Sequence, residues 1–330
     1  MFLNPFERNK QMNILICSAG RRAKLVEFFK EELHKIGGKV VAVDCDPTAS
    51  ALYHADLHEV VPRIDHPAYI SHIIDLCKKY EITGILSLID PELTLLANCK
   101  EEFEKNSIQV IVSDKTVVKS CFDKYLTYQF CQEHDLPCVP TYTDIDKVID
   151  ELNHNELEFP LIVKPRRGSA SIGIHKVTTI QELTIFQEKA EEIVIQPFIS
   201  GEEFGVDCYI DFITNEVTNL FLKRKISMRS GETDKSVSYK DPILKELIEK
   251  LVIALKANGP IDIDCFKTAR GYLISEINPR FGGGYLHAHV SGQNFVKNII
   301  NNLKGLPNVV DNCHYEEGSK LVKFDHFIVL

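Results

Sequence analysis

Apolar positions recur in short runs and amphipathic stretches that alternate through the first third of the chain. The run Asn13–Cys17 predicts a buried strand, and Ser18-Ala19-Gly20-Arg21-Arg22 predicts the turn after it. A helix follows, with Leu25, Phe28, Phe29, Leu33 and Ile36 on one side and Gly37-Gly38 to stop it. Lys39–Val43 reads as a second strand ending at Asp44. Ile70, Ile73, Ile74 and Cys77 mark another helix. Strand Gly84–Leu88, an acidic loop Asp90-Pro91-Glu92, a helix and strand Ile108–Val112 complete the series. Strands alternating with helices predict a parallel sheet with helices on both faces.

The pattern then changes. Asp123-Lys124 opens an amphipathic helix that reaches His134 and is broken at Leu136-Pro137. Pro160–Pro165 is a strand carrying Lys164 near its end, and Ile193–Ile199 is a strand ending in a Gln-Pro step. Ser200-Gly201-Glu202-Glu203 reads as a turn. Phe204, Val206, Cys208, Ile210 and Phe212 alternate with Gly205, Asp207, Tyr209 and Asp211, as in an antiparallel strand with one buried face. Asn219–Arg224 is a further strand. Lys225–Tyr239, polar and rich in basic and hydroxyl residues, reads as a mobile loop over a site. Leu244–Ala257 is a helix, Gly259–Asn278 a hairpin, and a helix runs from about Gln293 to Leu303. Little chemistry is expected beyond Leu306. Residues 1–11 lack periodicity and read as an extension ahead of Met12.

Composition narrows the class. The 330 residues suffice for two or three packed units, and 44% apolar with 26% charged residues is ordinary for a globular protein. A net charge of −9 argues against a general nucleic-acid binder. No apolar run approaches membrane-spanning length and no leader pattern opens the chain, so no membrane partner is expected. Ten scattered cysteines without a C-x-x-C pair argue against a disulfide framework or zinc site and point to a reducing cytoplasm.

The candidate chemistry gathers on the hairpin. Ile261, Ile263 and Cys265 share one face of its first strand, and Asp262, Asp264 and Phe266 share the other. A turn near Arg270-Gly271 sets Asp264 opposite Glu276, with Asn278 on the face of Glu276 and Arg280 just beyond. Two carboxylates and an amide converging suit Mg²⁺, which takes few protein ligands and completes its shell with waters and phosphates. Arg280 is then free to meet charge on a transferred phosphoryl group. Upstream, Arg166–Gly173 is a small loop with Gly168, Ser169, Ser171 and Gly173 directly after the strand lysine, able to cradle phosphates through backbone N–H groups. It is not a Walker loop, because Lys164 precedes the glycines. The first unit also lacks G-x-G-x-x-G, which removes a nicotinamide-dependent dehydrogenase. Its crevice residues are Ser18, Gly20, Arg21, Asp44 and Asp90 to Glu92.

These pieces, in this order, resemble the ATP-grasp superfamily, most closely the group similar to the large subunit of carbamoyl phosphate synthetase. The resemblance implies α/β and α+β architecture: an extension over 1–11, a parallel α/β pre-ATP-grasp domain over 12–115, a small lobe with the phosphate loop over 116–200 and a large lobe with the metal site over 201–330. It implies that Lys124 and Lys164 contact ATP, that Gly168 to Gly173 cover its phosphates, and that Gln196, Pro197, Phe198 and Ile199 form the adenine hinge. Glu203 takes the ribose, Asp264, Glu276 and Asn278 hold Mg²⁺ (with Mn²⁺ an allowed substitute), and Arg280 meets the γ-phosphate. Asp264 departs from the Gln usual in carbamoyl phosphate synthetase, and a single ATP-grasp unit argues against carbamoyl phosphate synthesis. The implied activity is ATP-dependent carboxylate–amine (or carboxylate–thiol) ligation through an acyl phosphate, with small-molecule acid and amine substrates and a homodimer as an allowed assembly. The alternative is a catalytically inactive nucleotide-binding regulatory module. Arg21, Arg224 and Arg229 are the candidate anchors for a substrate carboxylate. His287 and His289 follow the glycines and read as loop histidines, surface groups or substrate contacts.

Overall fold

The computed structural model describes residues 12–168 and 172–330. The expected extension at 1–11, and Ser169 and Ser171 of the phosphate loop, lie outside the described residues.

The first sheet has five parallel strands in the order β3-β2-β1-β4-β5: β1 (Asn13–Cys17), β2 (Lys39–Asp44), β3 (Leu57–Val60), β4 (Ile82–Ser87) and β5 (Gln109–Val110). β3 has no apolar alternation and was not foreseen; three of its four residues are exposed or nearly so. Helices α1 (Ala23–His34), α2 (Tyr69–Lys79), α3 (Asp90–Asn98) and α4 (Lys100–Lys105) cover the sheet. α1 ends at His34, and Gly37, at φ +74°, donates its N–H back to the His34 carbonyl. Ile36 therefore falls past the helix and is exposed. The expected acidic loop at residues 90–92 is instead the first turn of α3. Pro91 fits there because its missing N–H would be unpaired anyway, and the acidic residues suit a helix start.

Next come α5 (Lys115–Phe122), α6 (Lys124–Glu133) and α7 (Ile145–Asn153). Asp123 caps α6 by accepting from the backbone N–H groups of Tyr125 and Leu126. A small antiparallel sheet, β7-β6-β8, is built from β6 (Leu161–Pro165), β7 (His175–Val177) and β8 (Ile193–Pro197), with α8 (Ile180–Thr184) packed beside it.

The largest sheet follows the order β13-β12-β9-β10-β11-β15. Its strands are β9 (Glu202–Ile210), β10 (Val217–Arg229), β11 (Glu232–Tyr239), β12 (Gly259–Thr268), β13 (Gly271–Asn278) and β15 (Lys320–Val322), and β14 (Asp311–Asn312) joins β10. α9 (Pro242–Leu255) buries Leu244, Leu247, Ile248, Leu251 and Val252 against one face. α10 (Tyr285–Val290) and α11 (Phe295–Leu303) follow the hairpin.

Two expectations are corrected here. Glu202 and Glu203 belong to β9, not to a turn. Residues 225–239, expected as a mobile loop, are the paired ends of β10 and β11, joined at Ser230-Gly231. Both linking residues have positive φ, +50° and +75°, the geometry that matches a two-residue hairpin to strand twist. The stretch looked loop-like because it is polar throughout: Lys225 and Glu232 reach a cavity, and Ser236 and Ser238 are buried through hydrogen bonds to His287 and the Glu316 carbonyl rather than through apolar contact.

The apolar core is continuous between the first sheet and the end of the chain. One cluster joins Ile14, Ile16, Phe28, Phe29 and Val40 to Phe281, Tyr285, Phe295, Ile299 and Leu303. Gly84 of β4 accepts this close packing: a Cβ there would meet Leu303 at 2.9 Å.

Candidate active site

A cavity of about 330 Å³ lies between the small sheet and the large one. Its floor is the β12–β13 hairpin. Asp264 stands opposite Glu276, and Asp262 opposite Asn278. The register slips between Asp264 and Cys265, so that Ser275 is an extra residue in β13. The slip has a physical reason. Tyr272 and Ile274 point into the core, and so does Ile277, which is odd-numbered where they are even. Only an inserted residue reconciles the two. It turns Ser275, Glu276 and Asn278 toward the cavity.

The opposite wall comes from β6 and β8. Lys164 is buried there, and burial lowers its pKa although the Glu276 carboxylate works against that. Lys124 donates to the Gly168 carbonyl at 2.8 Å and lies 3.9 Å from Glu276. Gly168 and Gly173 both have positive φ, +136° and +74°, conformations that glycine adopts without strain. Gln196, Pro197, Phe198 and Ile199 line the cavity edge. Gln196 Nε2 donates to Thr141 at 2.8 Å, and the Phe198 N–H donates to the Pro160 carbonyl at 3.0 Å. Lys176 stacks its ammonium over the Phe198 ring at 4.1 Å.

Lys225 occupies the centre. Its ammonium lies 2.7 Å from both Asp264 Oδ1 and Glu203 Oε1. Burial alone would lower the Lys225 pKa, but Asp264, Glu203 and Asp262 outweigh it and hold the value above the ordinary lysine range. Asp262 is the reverse case: burial, then the nearby Asp264 charge, push its carboxyl up to about 7. Below them Lys223 and Asp207 form a fully buried ion pair.

Arg280 leaves the hairpin and reaches back to the first sheet. Its Nη2 donates to Asp90 Oδ2 at 3.0 Å, and Asp262 lies 3.9 Å away. These carboxylates outweigh the burial that would otherwise lower its pKa, and hold it up. Its Nε is buried with no acceptor among the described residues. At the other side of the same helical turn, Glu92 is buried and accepts from Ser18, Ser87 and Tyr69, which pins the turn after β1. Burial raises its pKa. Asp44 accepts from the Gly20 N–H at 2.8 Å in the same turn.

The three glycines after Phe281 permit close approach. A Cβ on Gly282 would sit 2.3 Å from Asp262 Oδ1, one on Gly283 2.7 Å from Glu232, and one on Gly284 2.5 Å from Lys223. A larger residue at any of them would push the acidic and basic groups of the floor apart.

Of the three arginines expected to anchor substrate, Arg21 and Arg229 line a second, larger cavity of about 810 Å³ that adjoins the first. Arg224 lines neither. It lies between Lys223 and Lys225 on β10, so strand alternation turns it to the opposite face, where it meets Glu202 at 3.3 Å. His287 and His289 are in α10, not on a loop or the surface. His287 is buried between Ser236 and Ser319, and His289 stacks on Phe28 at 3.6 Å. Burial lowers both imidazoles to about 4.

Sequence reasoning missed Lys225, Glu232 and Arg22, and gave Asp262 no role; it set Asp90 among the crevice residues but not as the partner of Arg280. Asp262 was findable, since it shares the strand face of Asp264. Lys225 would have required extending the β10 alternation past Arg224.

The donor set can be tested against a metal. Among the described residues no three His, Cys, Asp or Glu side chains come together as a metal group. Two facing carboxylates and an amide remain, the set that suits Mg²⁺ carried in by a polyphosphate rather than a cation caged by protein. The lysines on the opposite wall and the unpaired Arg280 Nε add positive charge for the phosphates. The residues fit a magnesium nucleotide.

Comparison with known proteins agrees with this architecture. Residues 121–284 match the ATP-grasp domain family, and residues 14–111 match the PylC-like N-terminal domain. The chain belongs to the ATP-grasp superfamily. A D-alanine–D-alanine ligase from Francisella tularensis subsp. novicida is 27% identical over 168 residues, which are 47% of this chain and 56% of that protein. The chain thus spans about half the length of the curated relatives it matches. Among solved structures, the biotin carboxylase domain dimer of Hydrogenobacter thermophilus 2-oxoglutarate carboxylase, in complex with MgADP and bicarbonate, superposes with TM-score 0.74 at 16% identity, covering 94% of this chain and 74% of that one. The L-amino acid ligase of Bacillus licheniformis superposes with TM-score 0.69 at 19% identity, covering 90% of this chain and 75% of that one. At these identities the two structures speak for the fold.

Proposed function

We propose that this chain is an ATP-dependent ligase that joins a small-molecule carboxylate to an amine or thiol. The observation that carries the reading is the convergence of Lys164 and Lys225 with Asp264, Glu276, Asn278 and Arg280 around one cavity, with Lys124 3.9 Å from Glu276. The match to the ATP-grasp family and the likeness to the ligases and carboxylase described above support it.

A carboxylate resists nucleophiles because its carbonyl carbon is electron-rich and its leaving group would be oxide. Attack of a substrate carboxylate oxygen on the γ-phosphorus of ATP forms an acyl phosphate and releases ADP. An amine or thiol then attacks the acyl carbon and releases phosphate. The chain's part is position and charge. Lys124 and Lys164 hold the phosphates from the small-sheet side. Gln196 to Ile199 border the base, and Glu203 the ribose. Mg²⁺ held by Asp264, Glu276 and Asn278 would neutralise the β- and γ-oxygens; Mn²⁺, with the same oxygen preference, is a proposed substitute. Arg280, positioned by Asp90, meets the charge that develops on the transferred group. Water has to be kept from the site, because it would otherwise hydrolyse the acyl phosphate. No protein nucleophile is required.

Glu276→Ala is expected to abolish acid-dependent ADP release while far-UV circular dichroism stays unchanged. Unaltered turnover in that variant would remove Glu276 from the metal site. Tight ATP binding with no phosphate release across a panel of acids and amines would instead identify a nucleotide sensor. A homodimer is the proposed assembly, in line with the dimer named for the Hydrogenobacter domain. The ten free thiols support a reducing cytoplasm as the proposed location, and among the described residues no helix is long and apolar enough to cross a membrane.

A further inference from the structure

The second cavity has a sharply uneven distribution of charge and apolar surface. Most of its charged groups are already paired. Lys24 meets Glu27 at 2.9 Å, and Glu27 also meets His54 at 2.7 Å. Arg229 lies between Asp234 at 3.0 Å and Asp325 at 2.5 Å. The exception is Glu232. One carboxylate there faces three cations: Arg22 at 3.2 Å, Lys323 at 3.2 Å and Arg21 at 3.4 Å. Two positive charges are left in excess at one spot. Arg22 and Lys323 are largely buried, and burial lowers the pKa of each, so neither charge is well solvated.

That spot is the junction. Arg22, Glu232 and Thr233 line both cavities. An anion held at Arg22 and Arg21 therefore sits at the doorway to the proposed phosphate site. Away from the doorway the wall turns apolar, with Phe28, Leu286, Val290, Phe324, Phe327 and Ile328. Phe324 and Phe327 are 78% and 87% exposed, large aromatic surfaces that nothing among the described residues covers. The segment carrying them, residues 321–328, lies beyond Leu306, where little chemistry was expected. It is fastened at the doorway by Lys323, which also donates to the Gly283 carbonyl at 2.8 Å.

We propose that the acid activated by this protein is an amphiphilic monocarboxylate with a bulky apolar body. Its carboxylate is held at the doorway by Arg22 and Arg21, and its body fills the second cavity against Leu286, Phe324 and Phe327. The proposal rests on the ligase reading above. A cavity of about 810 Å³ exceeds what a two- or three-carbon acid fills, and drug-sized ligands occupy sites of roughly 300–1,000 Å³. A polar polyhydroxy body would leave the aromatic wall uncovered and would set its hydroxyls against Phe28, Leu286 and Phe324 there.

The test is calorimetric titration of the full-length protein, first with Mg·AMP-PNP and then, at saturation, with octanoate, 3-phenylpropanoate, glycolate and succinate. Octanoate and 3-phenylpropanoate are expected to bind at least tenfold tighter than glycolate, a difference that burial of roughly two methylene groups already supplies. Phe324→Asp and Leu286→Asn should erase the preference without loss of AMP-PNP binding, and Arg22→Gln should weaken all four acids alike. Failure of AMP-PNP to bind overturns the ligase reading and this inference with it. AMP-PNP binding followed by acids that bind regardless of apolar size, or not at all, overturns this inference alone. A preference for octanoate that survives Phe324→Asp and Leu286→Asn overturns the placement of the apolar body.

Discussion

Single residues set the constraints on this site, and the buried histidine of α10 illustrates how. His287 is neutral in the fold, held by two serine hydroxyls, with its pKa lowered to about 4 by burial. In the unfolded chain it would titrate near 6.5. Between those values the unfolded state binds more protons, so stability rises with pH there and falls as pH drops. The contribution is complete above about pH 6.5, and about 2 kcal/mol of it is lost by pH 5. The urea midpoint should fall between pH 7.5 and pH 5, and His287→Gln should shrink that difference. An equal drop in both proteins would place the acid sensitivity elsewhere. The sequence presented the same histidine as one of a loop pair, because nothing in Gly-Tyr-Leu-His-Ala-His announces that Phe221 packs against it from a distant strand.

At the scale of elements, local pattern served the first sheet and the hairpin well. Asp264 opposite Glu276 follows from strand alternation and a turn at Gly271. What alternation alone could not give is the extra residue, Ser275, since its position depends on which of Ile274 and Ile277 the core accepts. The β10–β11 hairpin was hidden for a related reason. A hairpin that faces a charged cavity with Lys225 and Glu232 and buries serines through hydrogen bonds carries no apolar signature, and Lys225 was lost with it. Removal of Ser275 is expected to restore plain alternation and rotate either Glu276 or Ile277 to the wrong face. Mg²⁺-dependent nucleotide binding, followed by fluorescence of a labelled ATP, should then fall to background while AMP-PNP still protects the wild type. Retained magnesium dependence after the deletion would show that the bulge does not aim Glu276.

The whole molecule is tied across its middle. Arg280, just past the β12–β13 hairpin, is anchored by Asp90 of the first sheet's layer, and both are largely buried. Removing one member of such a pair leaves an uncompensated charge, at a cost of about 3–5 kcal/mol. Asp90→Ala should lower the urea midpoint accordingly and depress ADP release. The double variant Asp90→Ala, Arg280→Met should recover stability without activity. If the single variant is as stable as wild type, Asp262 at 3.9 Å is sufficient partner for Arg280.

The shared core has a consequence for synthesis. Ile14, Phe28 and Phe29 belong to the first elements made, yet they are completed by Phe295, Ile299 and Leu303 near the end. At about 5–20 residues per second a ribosome needs roughly 10–40 s to pass from the fifth strand to α11. Throughout that interval the nascent first sheet carries an uncovered greasy side outside the exit tunnel. Chaperone capture of stalled chains ending before residue 290, and its loss in full-length chains released from the ribosome, would make the last long helix the step that frees the protein from its escorts.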